Sequence, residues 1–206
     1  MCVLRCNAMK LKFFVMVMWL AMLGACGPQQ PAANKFQLTD VTGADFGKAL
    51  ALTDHNGKPR TLSDFQGKVV VLFFGFTQCP DVCPTTLAEM AKVVKDLGPD
   101  GDKVQVLFVS VDPARDTKTL LKQYVTAFNP TFLGMVGDAD ATTRAAKEFK
   151  VYVQKQTPKA DGSYSVDHSA GTFILDQQGR LRLFAQYGAG AAALLGDIKT
   201  LLKQAT

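Results

Sequence analysis

Two stretches of the chain are apolar without alternation, VVVLFFGF at 69–76 and VQVLFVSV at 104–111. Short runs rich in β-branched and aromatic residues predict strands buried on both faces, as in the middle of a parallel sheet. Between them, Leu87 to Leu97 carries apolar residues at helical period. Pro84 is expected to open that helix, because proline disfavours helical geometry at the residue before it, Cys83. Further on, the pattern predicts a helix over Thr117–Phe128, a strand in FLGMVG and a helix over Ala139–Phe149. A short strand in VYVQKQ, a hairpin in TFILDQQGRLRLFAQY turning at Gln178-Gly179, and an amphipathic closing helix over Ala191–Lys203 complete the order. Upstream, ALTDHNGKPRTLSDFQGK holds turn signals at Asn56-Gly57 and Gly67-Lys68, which predict a hairpin and a loop.

A strand–helix–strand opening implies a right-handed parallel crossover. The full order is that of an α/β domain with a thioredoxin-like fold: a central mixed sheet flanked by helices. It adds an N-terminal hairpin, an insertion after Cys83 and an extended loop before His168. The apolar periodicity is enough for one core without help from disulfides.

The first 25 residues differ from the rest of the 206, since Arg5, Lys10 and Lys12 precede an uncharged apolar run from Phe13 to Ala25. That is the pattern of an export signal, and the run is short of the ~20 residues a spanning helix needs. Its end, LGAC, is similar to a bacterial lipoprotein signal in which Cys26 becomes the lipidated N-terminus. An acyl anchor there would hold the domain at a membrane surface. Residues 26–35, rich in Pro, Gln and Ala, read as a tether to a domain spanning 36–206. The expected location is the periplasmic side of a bacterial membrane.

Removal of the signal takes 23 basic residues to 20 against 18 acidic ones, so the formal charge falls from +5 to +2. No basic patch for nucleic acid survives. Of five cysteines, Cys2 and Cys6 leave with the signal and Cys26 takes the lipid, which leaves Cys79 and Cys83 as thiols. The pair follows the first buried strand in GFTQCPDVCPTTLAEM. As a disulfide it would close too short a loop to stabilise much. As a redox couple it would profit from the amides and dipole of the following helix, although three residues intervene where thioredoxin-type enzymes have two. As metal ligands, two thiolates converging from a loop suit copper(I), and an added imidazole would suit copper(II).

The mature chain offers two histidines. His55 is expected to be exposed at a hairpin tip, and His168, before a strand in VDHSAGTFILD, is by itself a hydrogen-bonding residue as readily as a ligand. Asp112 ends the second buried strand, where it could orient a ligand or a partner, or simply form the turn. Asp116 is expected to cap the helix at Thr117. Asp81 and Asp167 flank the candidate ligands, and Met90 and Met135 read as core. A peroxiredoxin-like peroxidase is disfavoured, because TQC supplies no suitable setting and the nearest arginine in sequence is Arg60.

The blocks GFTQCPDVCPTTLAEM, VSVDPARDT and VDHSAGTFILD, in this order and spacing, resemble the Sco/SenC family of copper-binding proteins that assemble cytochrome c oxidase. The resemblance runs from about Leu52 to the C-terminus. It implies a thioredoxin-like domain binding one copper, as Cu(I) or Cu(II), through Cys79, Cys83 and His168. It also implies a membrane-tethered protein facing the copper-containing subunit of the oxidase, supplied by an upstream copper donor or thiol reductant. Two roles follow: a copper carrier for the oxidase's CuA centre, or a thiol-disulfide reductase that keeps the oxidase cysteines reduced. One departure is visible. Gln78 stands before the first cysteine, where the family often has histidine, so redox tuning could differ from that of relatives.

Overall fold

The computed structural model describes residues 36–204. The expected signal, Cys26 and the tether lie outside the described residues. An eight-stranded mixed sheet forms the centre, in the order β1-β10-β9-β4-β5-β6-β2-β3. The strands are β1 (Thr39–Asp40), β2 (Ala51–Asp54), β3 (Pro59–Thr61), β4 (Val69–Gly75), β5 (Val104–Ser110), β6 (Leu133–Val136), β9 (Thr172–Leu175) and β10 (Leu181–Ala185). The pair β7 (Val153–Lys155) and β8 (Val166–His168) forms a separate two-stranded sheet. The helices are α1 (Val82–Asp96), α2 (Lys118–Phe128), α3 (Ala139–Glu148) and α4 (Ala191–Lys203).

The two apolar runs become the paired centre of the sheet. β4 lies parallel to β5 from Val69 opposite Val104 to Gly75 opposite Ser110, and every residue of both strands is buried. Alternate residues serve two cores. Val69, Val71 and Phe73 face α1, α2 and α4, packing among Leu87, Leu121 and Ile198. Val70, Leu72 and Phe74 face the side covered by α3, among Ala145, Phe149 and Phe173. Met90 and Met135 are core residues, as expected.

Both expected hairpins turn on the same device. Asp54 accepts from the N–H of Asn56 and Lys58, and Asp176 from that of Gln178 and Arg180. Each turn closes at a glycine with positive φ, Gly57 at 85° and Gly179 at 76°. His55, in the first turn, is a correction to the expectation of exposure. It is buried, and its Nδ1 accepts from the N–H of Gly134 at 3.1 Å, tying the hairpin to β6.

Burial lowers the pKa of His55. Because the folded value lies below the unfolded ~6.5, the unfolded chain takes up the proton first, and stability falls as pH drops through that value. It levels off below the folded pKa. His55→Gln, whose amide oxygen can accept from Gly134 without titrating, should flatten this slope. Denaturant titrations between pH 5 and 8 give the comparison, and identical slopes for the two proteins would remove His55 as the cause.

Two helix starts differ from expectation. α1 begins at Val82 rather than Pro84, placing Cys83 in its first turn instead of on a loop. Pro84 fits there because its missing N–H falls among the first-turn donors that have no helical acceptor. α2 is capped by Thr117, whose side chain accepts from Leu120 N–H, not by Asp116. Asp116 is buried, accepting from Ser110 Oγ at 2.6 Å and Thr77 Oγ1 at 2.6 Å. It stitches the end of β5 to the turn that leads to Cys79. Burial raises its pKa.

Candidate metal centre

The site forms where β4 and β5 end and β9 begins, the end of such sheets where ligands collect. Residues 76–81 leave β4 in a turn closed by Cys79 N–H donating to Phe76 C=O at 3.1 Å. Cys79 on this turn is partly exposed; Cys83, in the first turn of α1, is fully buried. Both are free thiols. Gly75 leaves the space that Cys83 fills, since a Cβ there would lie 2.7 Å from Cys83 Sγ and 2.7 Å from the Phe108 ring. No sequence pattern marks that requirement.

The third residue arrives from a different sheet. Loop 156–165 leads into β8, and His168 is the last residue of that strand, opposite Val153. Its Nδ1 lies 3.0 Å from Ser169 C=O. A carbonyl can only accept, so Nδ1 carries the proton and the neutral ring presents a bare Nε2. Nε2 faces Cys83 Sγ at 3.9 Å. The Phe76 ring meets the imidazole edge-on at 5.9 Å between centroids and walls the site with apolar surface.

The electrostatics favour neutral groups. Burial pushes the Cys83 thiol well above the ordinary cysteine range, against the lowering effect of a backbone hydrogen bond from Phe76; Cys79 and Asp116 push it higher still. Burial thus works against the thiolate that a position at a helix start would favour. Burial also lowers the pKa of His168, against the raising effect of Ser169 C=O and Asp167.

These donors fit a soft metal ion. For an ion about 2.1 Å from nitrogen and about 2.3 Å from sulfur, trigonal or tetrahedral ligands stand about 3.6–3.8 Å apart, close to the separation here. None of the groups that act on the Cys83 thiol is a cation, and a bound metal ion would supply that charge directly. Among the described residues, no three His, Cys, Asp or Glu side chains are drawn together as a closed metal site. The Cys83–His168 contact is made, and Cys79 acts on Cys83 from the neighbouring turn.

Asp112 stands outside this group. It is buried, pairs with Arg115 Nε and accepts from Tyr164 Oη at 2.9 Å. Arg115 in turn reaches Gln78, next to Cys79. Asp112 thus touches the site through intermediaries. Asp81 accepts from Thr85 Oγ1 at 3.4 Å, and Asp167 from the Gln156 amide. Sequence reasoning missed Arg115, Tyr164 and Phe76. Arg115 stood inside a motif block, but only the fold brings it to Gln78.

Two free thiols and an imidazole thus stand at one end of the sheet of a thioredoxin-like domain. The chain is a member of the SCO1/SenC family, whose model matches residues 29–203. The mitochondrial protein SCO2 homolog of Bos taurus is 37% identical over 173 residues, covering 82% of this chain and 62% of its own length. The chain therefore spans less than two thirds of that relative. Among solved structures, Bradyrhizobium japonicum ScoI with copper bound is 38% identical with a TM-score of 0.70, covering 76% of this chain and 99% of that one. Apo Sco1 of Thermus thermophilus, in solution, is 41% identical with a TM-score of 0.74, covering 84% and 100%.

Proposed function

We propose that the protein is a copper carrier that serves assembly of the CuA centre of cytochrome c oxidase. The observation that carries this reading is the bare Nε2 of His168 facing Cys83 Sγ at 3.9 Å. Cys79, Cys83 and His168 would hold one copper ion as cargo. Copper bound to the ScoI relative supports the ion's identity. A more distant neighbour, BsSco, is a member of the Sco family of cytochrome c oxidase assembly proteins, which supports the setting. Cys79 on its exposed turn gives an incoming acceptor thiolate a place to begin ligand exchange, while Cys83 and His168 stay anchored. Lipidation at Cys26 and a tether over 26–35 would keep this exchange at the periplasmic side of a bacterial membrane.

The difference in exposure between the cysteines favours a second reading, a thiol-disulfide reductase. Cys79 thiolate would attack the acceptor's disulfide, and Cys83 would resolve the mixed disulfide, releasing the acceptor as a dithiol and leaving Cys79–Cys83 oxidised. Against it stands the raised thiol pKa of Cys83, since a disulfide brings no positive charge to draw the proton off. The test gives both forms of the protein to the oxidase's soluble copper domain without oxygen. Copper-loaded protein should pass one ion to the reduced acceptor. If instead it passes none, and metal-free protein reduces the oxidised acceptor, the reductase reading replaces this one.

A further inference from the structure

We propose that Arg115 is a positioning residue that latches the β7–β8 hairpin to the cysteine turn and so holds His168 beside Cys83 before any metal arrives. Only the copper arm of its test rests on the function proposed above.

The hairpin that carries His168 is not hydrogen-bonded into the main sheet. A two-stranded hairpin alone is marginal in water, so its position depends on side chains. Val166 anchors one strand in the α3-side core. The Arg115 side chain bridges the remaining gap. Its Nη1 donates to Gln78 Oε1 at 2.7 Å, next to Cys79, and to Tyr164 C=O at 2.9 Å, four residues before His168. Its Nε pairs with Asp112, which also takes the Tyr164 hydroxyl. The guanidinium carbon lies 3.6 Å from the centroid of the Tyr164 ring, and Lys155 Nζ lies 3.8 Å from the same centroid. Arg115 also sits 5.8 Å from the ring centre of Phe76, the residue that walls His168.

This is a task for arginine. A planar fork can bond two oxygens, pair with a carboxylate and stack on a ring at once, and an ammonium cannot. Arg115 Nη2 is buried without a partner. The side chain keeps its place despite that orphaned donor, so the other contacts together outweigh it.

The experiment uses the purified protein as wild type, Arg115→Lys, Arg115→Met and Gln78→Ala. In the metal-free protein, amide hydrogen exchange over 153–168 should speed up about tenfold or more in the arginine variants while β4 and β5 stay protected. Unchanged exchange over 153–168 overturns the latch. If the arginine variants lose protection throughout, Gln78→Ala decides: it cuts only the arm to the exposed Gln78, and unchanged hairpin exchange there overturns the proposal equally. In the second arm, copper(II) affinity should fall about 10–100-fold, the usual effect of losing a partner that orients a ligand, with a shifted visible absorption band. Copper(I) affinity should stay within about threefold, because two thiolates suffice for the softer ion. Equal loss of both ions overturns the proposal, since it marks collapse of the cysteine turn. If the wild type takes up no copper, the carrier reading fails and the exchange arm still decides the latch.

Discussion

Replacing either cysteine by serine should abolish tight copper binding, with affinity for copper(I) falling by well over a hundredfold. Loss of an orienting partner alone costs 10–100-fold at metal sites, and removal of a soft ligand exceeds that. The two variants should differ in stability. Cys83 is fully buried, and its sulfur packs against the space above Gly75. A hydroxyl there loses that packing and needs a partner, so Cys83→Ser should lower stability by about 1–3 kcal/mol. Cys79 is partly exposed on its turn, and Cys79→Ser should leave stability within about 0.5 kcal/mol of wild type. Chelator competition without oxygen measures the first quantity and denaturant unfolding of the metal-free protein the second. Copper binding by Cys79→Ser as tight as that of the wild type would end the carrier assignment.

What could be read from the chain follows burial. β4 and β5 were legible because a strand covered on both faces must be apolar throughout, which leaves an unbroken run. α4 matches its predicted span, Ala191–Lys203, because its apolar face repeats over a full 13 residues. β8 was not legible. Three residues, Val166–His168, are too few to show a period, and their partner strand is itself only three residues long. His55 was misplaced for a related reason. A tip with Asn-Gly signals exposure, yet this tip folds back on β6, and only the strand order β6-β2-β3 brings Gly134 to the imidazole. Asp116 has the spacing of a cap, but Ser110 and Thr77 compete for it from β5 and the cysteine turn, and their two short hydrogen bonds win.

The candidate site was legible as a set of residues and not as an arrangement. Cys79 and Cys83 stand in one block and His168 in another, and the fold brings Cys83 and His168 within 3.9 Å across 85 positions. The means of that approach are dispersed: Ser169 C=O fixes the tautomer, Gly75 clears space for sulfur and Arg115 bridges two loops. None carries a local pattern, because each acts on a residue distant in sequence or through backbone atoms.

His168→Ala should then separate the two oxidation states of copper and, with them, the two proposed roles. Copper(II) favours a nitrogen ligand and copper(I) is content with two thiolates, so copper(II) affinity should fall by a hundredfold or more and copper(I) affinity by less than about tenfold. The imidazole is suited to this division, because its tautomer is already set by Ser169 and its lowered pKa keeps Nε2 unprotonated through neutral pH. A reductase has no such use for it. Electron transfer through Cys79 and Cys83 involves only sulfur, so reduction of an oxidised acceptor by metal-free His168→Ala should match the wild type. Loss of copper(II) together with unimpaired thiol chemistry would assign His168 to the metal. A variant that keeps its copper(II) would mean that the contact with Cys83 serves the fold, and the case for a three-ligand carrier site would go with it.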